Sequence, residues 1–350
     1  MEHRPLGRTG LSVSALSLGT MTFGEQNTED EGFAQMDLAL ERGIDLFDAA
    51  ELYPIPPRAE TAGRTETIIG NWLADRGARN KIVLATKVVG RSQNTWYRAD
   101  KRPARLIAKD VAEAVEGSLR RLRTDRIDLY QVHWPDRIVS GFGSNPTVFK
   151  VPEVAEDETP IGETLQALDK LVQAGKVLHI GVSNESAWGV MTWLAAAEAG
   201  HGPRISSIQN AYSLVNRSFE TNLAEACLRE GVSLLAYSAL AQGYLTGKYR
   251  NGALPEGARK TLFNRLQRYE GPGATATIDS YVVLAEEAGM VPAQMAMAFA
   301  LSRPFMASVI VGATSTDQLN TVIDAAEITL SPDLLDAIDT IQRANANPCP

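Results

Sequence analysis

Eight short apolar runs recur along the chain, and each is followed by a longer stretch. Most runs are nearly continuous in valine, isoleucine, leucine and alanine, which is typical of parallel strands covered on both faces. This alternation limits the possible folds more than any other feature of the sequence. The runs lie at residues 13–19, 44–50, 81–87, 127–133, 179–184, 206–210, 232–237 and 308–313.

The stretches between the runs have helical spacing and ordinary helix boundaries. Segments 27–43, 65–77 and 161–175 each end on a glycine, the residue that most often closes a helix. Two further helical patterns, at 292–303 and 331–345, exceed the simple alternation of strand and helix. We therefore predict barrel helices between the strands and accessory helices near the C-terminus.

Eight strand–helix units without a linker-like break predict an α/β fold of a single domain over residues 1–350. The expected architecture is a closed (β/α)8 TIM barrel. A doubly wound sheet is the alternative, but its glycine-rich phosphate turn would fall on "LGTMTFG", which is not G-x-G-x-x-G. Three long connections, 88–104, 134–160 and 238–273, follow strand C-terminal ends, the face where barrel active sites form.

Composition narrows the class of partner. The net charge is −8, with lysine and arginine spread throughout, which argues against nucleic acid and against an anionic membrane surface. No apolar stretch has the length of a membrane span, and the N-terminus lacks the layout of a signal peptide. Two cysteines suggest neither a disulfide framework nor a metal site. We expect a cytoplasmic protein that acts on a small molecule, and the sequence does not indicate its oligomeric state.

Polar residues stand at the ends of successive predicted strands. Lys87 and His133 end two of them, Asp48 lies two residues before the end of the strand at 44–50, and Tyr53 follows that strand at a short distance. Each alone has an ordinary structural explanation, such as a helix cap or a lysine reaching water. Together they suit proton transfer to a carbonyl oxygen, because an ammonium lowers the pKa of a phenol and a carboxylate holds the ammonium. A neutral imidazole would then orient the carbonyl.

Two other interpretations of single motifs have less support than proton transfer to a carbonyl. "YLTGK" at 244–248 has the Y-x-x-x-K spacing of short-chain dehydrogenases, but their glycine-rich turn is absent. Asp48, Glu51 and His133 could be drawn as metal ligands, yet no second histidine lies at a matching strand end. Glu51 has no partner in the proton-transfer scheme, so we expect it to be solvated.

The motifs "FDAAELY", "ATK" and "QVHWP" together resemble the aldo-keto reductase superfamily, whose proton-relay tetrad is Asp, Tyr, Lys and His in this order. The resemblance continues through "GVSN", "SIQNAYSLVNR", "LLAYSALAQGYLTGKY" and "VGATSTDQL", and so covers nearly the whole chain. "LGTMTFGEQN" and "ELYPIPPRAETAGRTET" bring it nearest to the bacterial Tas-type reductases of that superfamily.

The resemblance implies an NADP(H) cofactor and a set of residues that hold it. It matches Tyr53, Asp48, Lys87 and His133 to the catalytic tetrad. Tyr53 and His133 would contact the substrate, and Trp134, next to His133 in sequence, would offer it an aromatic wall. Trp96 and Phe142 are further candidates for the substrate pocket. The implied cofactor residues are Gly19, Thr20, Met21, Asp48, Ser183, Asn184, Gln209, Tyr237, Ser238, Ala239, Leu240, Gln242, Gly243, Leu245, Gly247, Lys248, Arg259, Gly312, Thr314 and Gln318.

Some positions depart from the family pattern. Thr321 and Val322 stand where relatives often carry a Glu-Asn pair that contacts the adenine. Many relatives also have a lysine or arginine where Gly312 and Gln318 stand. The 2′-phosphate would then be held by Arg259, Lys248 and backbone N–H groups at the N-terminus of the eighth helix. NADPH remains the expected cofactor, ahead of NADH.

Two functions follow from the resemblance. The first is NADPH-dependent reduction of aldehydes or ketones, with Tyr53 as proton donor. The second is a cofactor-binding, redox-sensing subunit with little turnover, as in potassium-channel β-subunits. Those subunits carry Asn where His133 stands, so the complete tetrad favours the enzyme.

Overall fold

The computed structural model describes residues 1–139, 151, 154–264 and 267–350. Eight parallel strands close into a barrel in the order β10-β3-β4-β5-β6-β7-β8-β9, and two short antiparallel strands precede them. The strands are β1 (His3–Pro5), β2 (Ser12–Ser14), β3 (Leu16–Gly19), β4 (Leu46–Asp48), β5 (Val83–Val88), β6 (Ile127–Val132), β7 (Val177–Ser183), β8 (Ser207–Ala211), β9 (Ser233–Tyr237) and β10 (Met306–Val311). The predicted (β/α)8 barrel is confirmed.

Helices surround the barrel. The helices are α1 (Glu29–Glu41), α2 (Arg64–Arg76), α3 (Ala108–Leu122), α4 (Ile161–Gln173), α5 (Ala187–Glu198), α6 (Leu223–Glu230), α7 (Arg259–Phe263), α8 (Ala274–Glu287), α9 (Pro292–Leu301), α10 (Thr316–Ile323) and α11 (Pro332–Ala344). Helix α11 follows the barrel, as predicted, and packs against α8, whereas α9, also predicted as accessory, packs against strand β10 and helix α10 and so takes the position of a barrel helix. Helix α1 begins with a reciprocal capping box between Thr28 and Glu31. Helix α2 ends at Gly77 in the left-handed conformation, as its sequence predicts.

The barrel closes between its first and last strands, where Val309 of β10 pairs with Leu16 of β3. The register Gly19↔Asp48 between β3 and β4 places Asp48 at the C-terminal end of the barrel. Because all eight strands are parallel, their polar last residues meet at this one end.

The predicted first strand, 13–19, is in fact two strands. Strand β2 pairs with β1 as a hairpin, and β3 begins two residues after it. Leu6 and Val13 of the hairpin region are fully buried against Leu46, Leu129 and other residues of the barrel interior. Three-residue strands have too little pattern to be recognised from sequence, so the hairpin was not predicted.

Within the described part of the chain, no helix is long and apolar enough to span a membrane. The same residues contain no cluster of three or more His, Cys, Asp or Glu side chains that could hold a metal ion. The pocket candidate Phe142 lies outside the described residues.

Candidate active site

A buried ion pair lies at the C-terminal end of the barrel. The Lys87 ammonium on β5 donates hydrogen bonds to Oδ2 of Asp48 on β4, at 2.6 Å, and to the carbonyl of Ala49, at 2.7 Å. Lys87 is fully buried and Asp48 nearly so. Burial is the largest single effect on the pKa of Lys87 and lowers it, but the interactions with Asp48 and Tyr53 together outweigh burial and raise the pKa. Lys87 therefore stays cationic where water is excluded.

Two glutamines hold the other carboxylate oxygen. The side-chain amides of Gln131 and Gln209 both donate to Oδ1 of Asp48, at 3.1 and 2.9 Å. Gln209 also donates to the Gln131 side-chain oxygen at 3.2 Å. Gln131 was not among the predicted site residues, because a single polar residue within the β6 run carries no distinguishing pattern. These bonds fix the carboxylate and, through it, the lysine.

Tyr53 follows β4 on the loop that enters the cavity. The Lys87 ammonium lies 5.0 Å from the centre of the Tyr53 ring. Burial raises the pKa of Tyr53, and the charge of Lys87 offsets only part of that rise. The expected lowering of the pKa of Tyr53 is therefore wrong for the free protein, since desolvation of the phenol outweighs the neighbouring ammonium.

His133 lies directly after β6 and faces Tyr53. The two rings are 5.7 Å apart in an edge-to-face arrangement. Burial and the charge of Lys87 together hold the pKa of His133 well below its usual value. The imidazole is thus neutral at pH 7, which agrees with the sequence-based expectation.

Glu51 contradicts its prediction as a solvated residue. Its carboxylate is buried and forms a two-pronged ion pair with Arg98, at 3.0 and 3.1 Å. It also accepts the backbone N–H of Val89 at 2.6 Å. Burial raises the pKa of Glu51, against the opposing effect of Arg98. Sequence reasoning missed this pair because its partners are 47 positions apart.

The predicted site residues converge on one cavity of about 920 Å³ at the barrel mouth. The fully buried Lys87 and the cofactor candidates Leu245 and Gly247 do not line it. The predicted residues that do are Gly19, Thr20, Met21, Asp48, Tyr53, His133, Trp134, Ser183, Asn184, Gln209, Tyr237, Ser238, Ala239, Leu240, Gln242, Gly243, Lys248, Arg259, Gly312, Thr314 and Gln318. Residues that were not predicted include Leu52, Ile55, Tyr97, Phe263, Arg268 and Tyr269.

Hydrogen bonds fix the polar side chains on the β7 and β9 side of the cavity. The Tyr237 hydroxyl donates to the Asn184 side-chain oxygen at 2.6 Å, and the Asn184 amide donates to the backbone carbonyl of His133 at 2.8 Å. The Ser183 hydroxyl donates to the carbonyl of Gln209 at 2.7 Å. This part of the wall is held in place before any ligand binds.

The loop after β9 has an unusual backbone. Ser238, Ala241 and Gln242 have positive φ angles, as does Gly243. Non-glycine residues seldom adopt this conformation, and they cluster where a loop is shaped for a ligand.

Two cations from this region face the cavity together. Burial and the charge of Arg259 lower the pKa of Lys248, so the two side chains lie close enough to repel one another. Both line the cavity wall. A pair of like charges in a partly buried wall suits a multiply charged anion such as a phosphate.

The segment after β10 forms the other rim of the cavity. Gly312, Thr314 and Gln318 line it, and the Gln318 side-chain oxygen accepts from the Thr314 N–H at 3.2 Å. Thr321 and Val322, the positions that depart from the family pattern, also line the wall.

Aromatic residues form the remaining wall beside Tyr53. Trp134 and Tyr97 pack with Ile55 around a small buried cluster, and all of them line the cavity. Trp96, which was predicted as a substrate-pocket residue, does not line the cavity and is 40% exposed. Its neighbour Tyr97 lines the cavity instead.

Comparison with known proteins gives a consistent result. The family model described as "Aldo/keto reductase family" matches residues 15–343. "Protein tas" of Escherichia coli is 49% identical over 356 aligned positions that cover 100% of both chains. The "Uncharacterized oxidoreductase YrpG" of Bacillus subtilis is 35% identical, over 97% of this chain and 96% of its own.

A more distant similarity extends to plants. A "Probable voltage-gated potassium channel subunit beta" of Arabidopsis thaliana is 30% identical, over 97% of this chain and 96% of its own. The barrel, the family match and these full-length similarities lead to one conclusion. The chain belongs to the aldo/keto reductase family of oxidoreductases, which generally use NAD(P)H.

Proposed function

We propose that this chain reduces aldehydes or ketones to alcohols with NADPH, and that Tyr53 donates the proton. The observation that carries the proposal is the buried Lys87–Asp48 pair beside Tyr53 and the neutral His133, all at one end of a large cavity. No other cluster among the described residues combines a phenol, an ammonium and an imidazole in this way.

The cavity suits a nicotinamide dinucleotide on three counts. About 920 Å³ is within the range of sites for ligands of this size. Lys248 and Arg259 provide positive charge for phosphates, and Ser183, Asn184 and Gln209 provide polar atoms for a carboxamide. The cofactor would supply a hydride to the carbonyl carbon.

The residues of the chain would handle the proton. The neutral imidazole of His133 offers a hydrogen bond that directs the carbonyl oxygen toward Tyr53. The Tyr53 hydroxyl then gives its proton to that oxygen as negative charge develops there. Lys87 stabilises the resulting phenolate, and Asp48 keeps the ammonium from turning away.

The Tyr53→Phe variant tests this role. We expect wild-type protein to oxidise NADPH in the presence of 4-nitrobenzaldehyde, and Tyr53→Phe to lose about 10²–10⁴-fold in kcat, the usual contribution of a general acid. Loss of reduced-cofactor absorbance measures turnover. A fluorescence titration measures cofactor binding, which should be nearly unchanged and tighter for NADPH than for NADH.

Tyr281→Phe is the matched control, because Tyr281 is buried but does not line the cavity. It should keep wild-type kcat. Equal kcat in Tyr53→Phe and wild type would rule out Tyr53 as the donor. NADPH binding without measurable turnover of any carbonyl would favour the second candidate, a cofactor-binding subunit related to the Arabidopsis protein.

A further inference from the structure

The Glu51–Arg98 ion pair lies behind the cavity wall, next in sequence to the lining residues Leu52 and Tyr97, and has no part in the proton relay. Both side chains are almost completely shielded from water, and two N–H···O contacts of 3.0 and 3.1 Å join them. A buried ion pair contributes little net stability compared with apolar packing, so its placement is better explained by positioning. The question is what the pair positions.

On one side, the pair is fixed to the catalytic strands. The Glu51 backbone N–H donates to the carbonyl of Lys87 at 3.2 Å, and its carboxylate accepts the N–H of Val89 at 2.6 Å. Glu51, which lies two residues before Tyr53, is therefore hydrogen-bonded to the end of β5 on both sides of Val88. Its carboxylate has a fixed place relative to the relay.

On the other side, the pair holds residues 91–104, here called the wall segment. The wall segment contains no helix and no named strand. An isolated antiparallel bridge between Ser92 and Ala104 joins its two ends, so the backbone between them depends mainly on side-chain contacts. Arg98 also donates to the carbonyl of Tyr97 at 2.9 Å, and its Nε lies 3.6 Å from Asp110 of α3. The guanidinium thus connects Glu51 directly to the backbone that carries Tyr97.

Tyr97 is the cavity residue that this connection controls. It packs against the same small buried cluster as Tyr53, Ile55 and Trp134, and it lines the cavity. Among the residues that the structure describes, no contact of Glu51 or Arg98 reaches Lys248 or Arg259. A change in the pair should alter the space for the substrate and leave the cofactor residues as they are.

We propose that Glu51 and Arg98 are positioning residues that hold the wall segment against the catalytic strands and so set how closely Tyr97 approaches a bound aromatic carbonyl substrate. This inference rests on the proposed function for its kinetic consequence. Its structural consequence, a wall segment that depends on the pair, is independent of activity.

The first test is hydrogen–deuterium exchange of full-length Arg98→Met, which keeps an unbranched side chain but removes the charge. We expect faster exchange in peptides covering residues 91–104 and unchanged exchange in peptides covering 238–248. Unchanged exchange in the wall segment would overturn the proposal, whether or not the protein is a reductase.

The second test separates KM from kcat. Arg98→Met should raise KM for 4-nitrobenzaldehyde about 10-fold, the value of one aromatic contact, and leave kcat within about twofold. KM for propanal, which is too small to reach a ring wall, should not change. Arg98→Lys should have a KM for 4-nitrobenzaldehyde between those of wild type and Arg98→Met. The double variant Tyr97→Ala/Arg98→Met should have the same KM as Tyr97→Ala alone, because both changes remove the same contact.

Arg102→Ala is the matched control. Arg102 belongs to the same segment and pairs with Asp100 and Asp110, but it does not contact Glu51. An equal rise of KM in Arg102→Ala would overturn the assignment to the Glu51–Arg98 pair.

Glu51→Gln covers the case in which Arg98→Met does not fold. It keeps the size of the side chain and an acceptor for Val89, and it should change exchange and KM in the same direction by a smaller factor. Wild-type exchange and KM in Glu51→Gln would overturn the proposal. Absence of turnover in wild-type protein would count against the proposed function alone, because the exchange measurement still decides the role of the pair.

Discussion

At the scale of single residues, the site depends on charges that are kept from water. Asp48 has a partner for each carboxylate oxygen, with Lys87 on one and two glutamine amides on the other. This arrangement meets the cost of burying a carboxylate and keeps the ammonium in one position. The same ammonium acts on His133, where burial has already made protonation unfavourable.

The lowered pKa of His133 predicts an acid-dependent loss of stability. An unfolded chain binds a proton at His133 below about pH 6.5, whereas the folded chain does not, so the free energy of unfolding falls with pH below that value. Between pH 7 and 5, wild-type protein should lose up to about 2 kcal/mol more than His133→Gln. Urea denaturation of both proteins at pH 7, 6 and 5 measures this difference.

His179 provides a comparison of intermediate size. Burial lowers the pKa of His179 as well, but this side chain is only half-buried. His179→Gln should reduce the acid dependence with the same sign and a smaller magnitude. An acid dependence in His133→Gln equal to that of wild type would show that the imidazole takes up a proton in the folded state.

At the scale of elements, the loop after β9 presents the cations of the cavity. Gly243 has a φ of +101°, and a Cβ there would lie 2.6 Å from Cε of Lys248. The lysine side chain is flexible enough to move away, but its ammonium would then leave its place in the wall. Gly243→Ala should therefore weaken NADPH binding about 10-fold or more, as expected for one lost charge-assisted hydrogen bond.

Gly252→Ala is the control for this change. Gly252 also has a positive φ, +75°, but no atom of the described part of the chain lies within 4 Å of a Cβ at that position. It carries the same kind of backbone strain without displacing Lys248. Similar losses of NADPH affinity in both variants, measured by fluorescence titration, would assign the effect to backbone strain and not to the lysine.

The elements also show what the sequence could predict. Strands such as β5 and β6 were predicted because parallel strands covered on both faces are continuously apolar. Asp48, Lys87 and His133 could be placed together because parallel strand ends meet at one end of a barrel. Glu51 could not be interpreted, since nothing local indicates that an arginine from a later loop is buried against it.

At the scale of the whole molecule, one end of the barrel holds the candidate active site and the other end contributes to stability. The strand C-terminal ends carry the cavity and its buried charges, while the β1–β2 hairpin region packs into the interior from the other end. The hairpin is fixed by backbone and side-chain contacts to late parts of the chain, including a hydrogen bond from the Gly7 N–H to the Ser233 hydroxyl at 2.8 Å. Stability and chemistry should therefore respond to different substitutions.

Leu6→Ala tests this separation. Leu6 is fully buried in the barrel interior with Leu46, Leu129 and Leu235, so its truncation leaves a cavity and should cost about 2–5 kcal/mol in the free energy of unfolding. The exposed Leu228 of α6 is the matched control, and Leu228→Ala should cost less than about 0.5 kcal/mol. Both variants should keep wild-type kcat/KM and NADPH affinity at a temperature where they are fully folded. A fall in kcat/KM of folded Leu6→Ala would mean that packing at the hairpin end reaches the strand ends that hold Asp48 and Lys87.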